Sequence, residues 1–97
     1  MNIIERELQK AITFKSEKEI ISHSIINISL NFMHIIEQLM KQKNISKKEL
    51  SKFLKISQKA LDELFSGDKI IDFKTLAIIE RLFKISFDIK YISFKNL

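Results

Sequence analysis

The stretch Ser46–Gly67, SKKELSKFLKISQKALDELFSG, decides the fold. Its opening, Ser46-Lys47-Lys48-Glu49, has the form of a capping box. In that arrangement the serine hydroxyl accepts from the backbone N–H three residues on, and the glutamate reaches back to the serine N–H. Leu50, Phe53 and Leu54 then repeat at helical spacing. Lys55-Ile56 reads as a short turn, and Ser57 as the N-cap of a second helix. Ala60, Leu61, Leu64 and Phe65 repeat at helical spacing again. Gly67, the only glycine in the chain, stands where a left-handed residue would stop that helix. The result is two short helices joined by a tight turn. Ala60, Leu61 and Leu64 pack on Leu50 and Leu54, and the small Ser51 lies where the helices come closest. Gln58, Lys59, Asp62 and Glu63 are left pointing outward.

Working outward from this pair, Asp72 caps a further helix that turns Leu76, Ile79, Leu82 and Phe83 inward. On the N-terminal side, Ile3, Ile4, Leu8, Ala11 and Ile12 predict a short first helix over residues 3–12, with Thr13–Lys15 as a link. Ser16-Glu17-Lys18-Glu19 is a second capping box. After it, Ile21, Ile25, Ile28, Phe32, Ile35 and Leu39 follow at spacings of 4, 3, 4, 3 and 4. That heptad-like stripe is a core face or a dimer seam. The helix carrying it ends at Gln42 or Lys43, Asn27 and Ser29 leave room for a break, and Met33 and Met40 are core filler. Asn44-Ile45-Ser46 links it to the central pair. At the C-terminal end the period changes. Ile85, Phe87, Ile89 and Tyr91 alternate with Ser86, Asp88 and Lys90, the pattern of a strand that needs a partner from the N-terminal region or a second copy. The fold class expected is all-α: a four- to five-helix bundle plus a short C-terminal β-strand. It divides into an N-terminal arm and first bundle helix (1–43), a central core (44–87) and the strand (88–97), all in one compact domain.

Composition narrows the function. Ninety-seven residues make one domain, and 45% apolar with 30% charged residues is ordinary for a globular chain. Proline is absent, which agrees with helices. Without cysteine there is no disulfide scaffold, thiolate zinc site or cysteine nucleophile. Glu5, Arg6 and Glu7 interrupt the first apolar stretch, so it does not read as a signal peptide. No apolar run reaches the roughly 18 residues of a membrane span. The compartment expected is the cytoplasm, with no membrane partner. His23 and His34 could share a helix face, but only Glu37 lies near enough to join them. They read as partly exposed polar residues, not metal ligands. No glycine-rich phosphate loop or nucleophile–base pair appears. The expectation is no catalytic residue, no metal, no cofactor and no enzyme.

The net charge of +5 is concentrated. Residues 41–60 carry Lys41, Lys43, Lys47, Lys48, Lys52, Lys55 and Lys59 against Glu49 alone, while the segments on either side are near neutral. Such a run is either a solvated face or a phosphate-facing surface. Lys47 and Lys48 open a helix whose N-terminal backbone N–H groups also favour phosphate. Among the outward residues of the second helix, Gln58 suits adenine, Lys59 suits guanine, and the carboxylates of Asp62 and Glu63 can accept from cytosine N4.

Two helices in this arrangement describe a helix-turn-helix, and the stretch Ile45–Phe87 resembles the phage-repressor-like family of XRE or Cro type. The residues that carry the resemblance are Leu50, Ser51, Ile56, Ser57, Leu61, the corner Phe65-Ser66-Gly67-Asp68, and Phe73, Thr75 and Leu76. The arm before the motif and the strand after it resemble the branch containing HigA-like antitoxins. The resemblance implies a compact bundle with Ser57–Phe65 as recognition helix and a homodimer on a palindromic double-stranded DNA operator. The base-contacting residues would be Gln58, Lys59, Asp62 and Glu63; the phosphate-contacting residues would be Lys47, Lys48, Ser57, Lys69 and Lys74. The function implied is a sequence-specific repressor. The alternatives are an antitoxin that binds both operator and a toxin protein, and a degenerate motif turned to protein–protein contact. Two departures stand out. Lys55 fills a turn position where the family often has glycine, and Asp62 and Glu63 set negative charge on the outward face. No arginine lies between residues 7 and 80, so the commonest guanine reader is missing. An uncovered strand edge is an aggregation hazard, and pairing with a two-fold mate would cover it. Of the two candidate dimer seams, the Ile85–Tyr91 strand is favoured over the Ile21–Leu39 stripe, because packing the N-terminal arm can consume the stripe.

Overall fold

The computed structural model describes the backbone of residues 3–93 and the side chains of residues 17–93. Within that span are four helices, α1 (Ile3–Lys43), α2 (Lys47–Leu54), α3 (Gln58–Ser66) and α4 (Phe73–Phe83). Their starts follow the caps read from the sequence. Ser46 accepts from the Glu49 N–H at 3.1 Å while its own N–H donates to the Glu49 carboxylate at 3.3 Å, which completes the capping box. Ser57 accepts from Ala60 N–H at 3.0 Å, and Asp72 from Thr75 N–H at 2.7 Å.

The helix ends share one device. Asn44, Lys55 and Lys84 all have left-handed backbone, with φ of 56°, 58° and 55°. In each case the next residue is an isoleucine whose N–H returns to a carbonyl five residues back. Ile45 donates to Met40 O at 2.9 Å, Ile56 to Ser51 O at 3.0 Å, and Ile85 to Glu80 O at 3.0 Å. This is the longer bond of a Schellman stop, and the half-buried isoleucine supplies its hydrophobic contact. A serine follows each isoleucine, and two of these, Ser46 and Ser57, cap the next helix. A repeated left-handed residue, isoleucine and serine thus turns the chain out of α1, α2 and α4.

Around these corners the core closes. Met33, Ile36 and Met40 of α1 are buried with Leu50, Leu54, Leu61, Leu64, Ile71, Leu76, Ile79 and Phe83. α3 packs on both α1 and α2. Ser51 is buried, its hydroxyl donating to Lys48 O at 2.8 Å. Ser29 is also buried, and its Oγ accepts from Ile71 N–H at 2.9 Å, tying the α3–α4 connection to α1.

Four expectations are corrected. First, α1 is one helix. Its backbone runs helical through Thr13–Lys15, Ser16–Glu19, Asn27 and Ser29, because no Gly or Pro in this stretch forces a stop. The Ser16 box starts no helix, and the side chains of residues 3–16 lie outside those described. Second, residues 85–93 form no strand. Among the described residues nothing offers an edge to pair with, and the chain anchors itself otherwise. Phe87 N–H donates to the Glu80 carboxylate at 2.7 Å, and its ring meets Phe32 edge-on at 5.4 Å. Beyond it Ile89, Tyr91 and Ile92 are exposed. Residues 94–97, the end of the expected strand segment, lie outside the described residues. Third, of the two readings of the Ile21–Leu39 stripe, the core-face one is corrected: the buried residues of α1 are Ser29, Met33, Ile36 and Met40, and Ile21, Ile25, Ile28 and Ile35 face outward. Fourth, Phe53 is half exposed and not on the packed face of α2.

The molecule is long for its size. Its radius of gyration is 18.0 Å, against about 13 Å for a compact chain of this length, because α1 extends past the bundle.

The corners make a stability prediction of two opposite signs. Gly67 has φ of +87°, and a Cβ built there would lie 3.2 Å from Ile26 Cγ2 and 3.5 Å from both Leu30 methyls. Gly67→Val should therefore destabilise by at least roughly 1–2 kcal/mol, strain and crowding acting together. Lys55→Gly removes left-handed strain with no lost contact in the core, and should stabilise by about 0.5–1 kcal/mol. Thermal melting followed by circular dichroism reads both. A lowered midpoint for Lys55→Gly would contradict the assigned turn.

Candidate nucleic-acid interface

The outward face of α3 follows from its caps. Leu61 and Leu64 are buried, and Ala60 and Phe65 are half buried. Gln58, Lys59 and Asp62 are exposed, and at 3.6 residues per turn they share one side of α3. Glu63 is half buried at the margin of that side. Ser57 spends its hydroxyl on the cap, leaving the first backbone N–H groups of α3 directed along its axis.

The lysines expected at phosphate do not stand alike. Lys47, at the first position of α2, reaches across to α3. Its Nζ lies 3.5 Å from Asp62 Oδ1 and 4.9 Å above the centre of the Phe65 ring. Lys69 pairs with Glu63 at 3.3 Å, and its backbone N–H donates to Glu63 O. Two expected phosphate contacts are therefore bonded to two expected base readers. The Lys47–Asp62 pair is exposed and the Lys69–Glu63 pair partly so; exposed pairs contribute about 0–1 kcal/mol, so a phosphate competes most readily for Lys47. Lys48, Lys59 and Lys74 make no ion pair among the described residues.

One basic cluster was not singled out from the sequence. Lys52 and Lys55 at the end of α2 and Lys74 and Arg81 on α4 surround an open groove of about 830 Å³ with Phe53 and Ile78 on its apolar lining. The signal was the spacing 74, 78, 81 on α4, which puts Lys74, Ile78 and Arg81 on one face. It was masked because the other half of the groove comes from a helix twenty residues away. His23 and His34 are exposed on α1, with Gln38 Nε2 3.3 Å from the His34 ring, and no group of metal-ligating side chains gathers among the described residues. No described helix is long and apolar enough to cross a membrane.

The helix-turn-helix family model matches residues 36–90, from the last turns of α1 to beyond α4. The chain belongs to the XRE-type helix-turn-helix family. Comparison with curated proteins and with solved structures gives no match. Family membership supports DNA as a ligand of this chain. In such a motif the second helix lies in the major groove with its N-terminal residues at the base edges, and the first crosses the backbone.

The cap of α4 gives this helix-turn-helix a pH dependence. The Thr75 hydroxyl, then the Thr75 N–H, hold the Asp72 carboxyl below the usual aspartate range, with Lys74 adding to the effect. A pKa lowered in the folded state means that the cap's contribution is present above the unfolded value of about 3.9. It is lost as pH falls through the lower folded value. Asp72→Ala should cost about 1 kcal/mol near neutral pH. The gap between wild type and variant should narrow as urea melts are repeated at acid pH below the usual aspartate range. A gap that stays constant down to acid pH would separate the cap from its charge.

Proposed function

We propose that this protein is a sequence-specific transcriptional repressor that reads a palindromic operator as a homodimer. The observation that carries the reading is the start of α3, where Gln58 and Lys59 stand exposed immediately after the Ser57 cap on a helix packed across α2. A recognition helix needs that position. Gln58 and Lys59 supply the contacts to adenine and guanine, and Asp62 and Glu63 line the same edge. Lys48, Ser57 and Lys74 serve the phosphates directly, and Lys47 and Lys69 do so by exchanging a carboxylate for a phosphate. The fit to DNA is electrostatic first, so affinity falls steeply with salt. A toxin partner, as in the HigA-like branch, has no observation here that favours it over a repressor acting alone.

Selection of bound duplexes from a random pool tests the reading and supplies the site. On that site Gln58→Ala and Lys59→Ala should each cost roughly 1–3 kcal/mol, and less on random DNA. Lys48→Ala should weaken binding to all sequences alike and flatten the salt slope by about one unit. Asp62→Asn should act the other way: it frees Lys47 for phosphate, raising affinity for random DNA and steepening the slope. Absence of DNA binding at low salt would overturn the proposal and leave the motif as a protein-contact module.

A further inference from the structure

We infer that the outward isoleucine stripe of α1 is the surface through which two copies of this chain associate, each copy seating its Phe73 against the stripe of the other. The inference deepens the homodimer reading above, and its test is made without DNA.

α1 carries two apolar stripes. Ser29, Met33, Ile36 and Met40 face the core and are buried. About 100° round the helix, at 3.6 residues per turn, lies the second. Its Ile21, Ile25, Ile28 and Ile35 are 55, 45, 57 and 42% exposed, with half-buried Phe32 among them. The spacing of 4, 3, 4 and 3 residues is that of a coiled-coil seam. Every residue from Glu17 to Ile25 is exposed, so this length of α1 rests on nothing in its own chain among the described residues. Its composition gives it little intrinsic helicity, being rich in Ile, Ser and His. A helix of that kind gains its stability from packing.

Three features select a second copy as what it packs on. From Ile20 to Ile36 there are seventeen residues without an Asp, Glu, Lys or Arg, in a chain that is 30% charged. In a two-fold contact the groups beside the axis meet their own copies, so a charge placed there repels itself and an uncharged stretch does not. Asp88 and Lys90, which border the stripe beside Ile28 and Ile35, pair with each other at 3.7 Å, whereas the lysine-rich 41–60 segment would carry that repulsion. Next, Phe73 is 87% exposed and stands at the rim of a cavity of about 150 Å³. Ile25, Ile28, Phe32 and Ile70 line it, and an apolar recess of about that volume holds a benzene ring. Knob and recess on one face are what an isologous interface requires. Last, the stripe with Ile70 and Phe73 exposes on the order of 500 Å² of apolar surface. That is more than half of the roughly 800 Å² each partner buries in a standard interface. The seam leaves the DNA-facing helix open, since Gly67 at the end of α3 lies against Ile26 and Leu30 on the other flank of α1.

Light scattering and sedimentation equilibrium of the full chain at micromolar concentration should give twice the 11.5 kDa chain mass. Ile28→Glu combined with Phe73→Glu, both at exposed positions, should raise the dissociation constant about a hundredfold or more while the helical circular dichroism of the bundle persists. Tyr91→Glu, an equally exposed apolar residue on the C-terminal tail, should leave the dimer unchanged. Because the chain has no cysteine, single cysteines can report without disturbing the fold. Ile21→Cys, Ile25→Cys and Ile28→Cys as a set should yield disulfide-linked dimers under mild oxidation, and Lys59→Cys should not. A monomeric full chain, a dimer that survives the double variant, or a dimer lost with Tyr91→Glu would each overturn the inference. A dimer with these properties that fails to bind DNA would leave it standing and remove the repressor reading alone.

Discussion

The path of this chain depends on left-handed residues at its helix ends. Asn44, Lys55, Gly67 and Lys84 follow α1, α2, α3 and α4 in turn, all at positive φ. At three of them an isoleucine comes back to bond the helix it has just left. The device fixes the exit direction twice, by backbone hydrogen bond and by the packing of the isoleucine, and after α1 and α2 a serine then starts the next helix. Three non-glycine residues are held where their Cβ is disfavoured by roughly 1–2 kcal/mol each. What offsets that is the joining of stop, core contact and cap within three residues. The turn between α2 and α3 is therefore stiff, and the outward face of α3 has its aim set by the same residues that close the core.

Much of this was legible in the sequence, for identifiable reasons. Caps are local, so Ser46 with Glu49, Ser57, Asp72 and the stop at Gly67 could be read from a few residues each. Leu50, Leu54, Leu61, Leu64, Leu76 and Ile79 followed from periodicity. The failures came where the pattern allowed two answers. α1 is apolar on two sides, and spacing could not say which side the rest of the chain would cover. On the covered side, with Met33, Ile36 and Met40, lies Ser29, a weak helix former that seemed to invite a break. It is instead the acceptor for Ile71 N–H, a contact forty-two residues distant in sequence. The alternation Ile85–Tyr91 failed for a related reason. Two of its apolar residues, Ile85 and Phe87, are used by a helix stop and an aromatic contact, and among the described residues there is no edge for a strand to join.

The candidate DNA face was legible as a composition and not as a geometry. Seven lysines in a twenty-residue window mark a basic surface, but the sequence cannot show that Lys47 lies over Phe65 and against Asp62. Nor does it show that Lys69 is tied to Glu63. These pairs change the meaning of the acidic residues. Carboxylates on a recognition helix look like an obstacle to binding DNA. Here they neutralise two lysines in the free protein at an energy small enough to be exchanged. Without DNA the face is less repelling to itself. In the proposed complex each lysine released would add to the phosphate count, while the carboxylate it leaves would have to find a base donor or face a penalty. That penalty differs with the base presented, because only cytosine N4 and adenine N6 offer an amino donor in the major groove. An ion pair that opened on binding would thus convert a sequence-blind charge into a term that depends on sequence.

The same logic of surface chemistry separates the two ends of the molecule. Charge is concentrated where phosphate would be met and absent from Ile20 to Ile36, where apolar side chains stand exposed on α1. A uniformly basic small protein would repel its own copies and bind nucleic acid without orientation. Concentrating seven lysines in residues 41–60 sets the excess positive charge around α2 and the start of α3, and it leaves the uncharged stretch Ile20–Ile36 of α1 free to meet another uncharged stretch. The buried Met33, Ile36 and Met40 hold that helix to the rest of the core, so the angle between its outward stripe and the exposed edge of α3 is set by close packing and not by a linker. A two-fold axis running along the stripe would then place two copies of α3 at a separation that the core dictates. Half-site spacing on DNA is a geometric quantity of that kind, and in this chain it would be written into the phase of the two apolar stripes on α1.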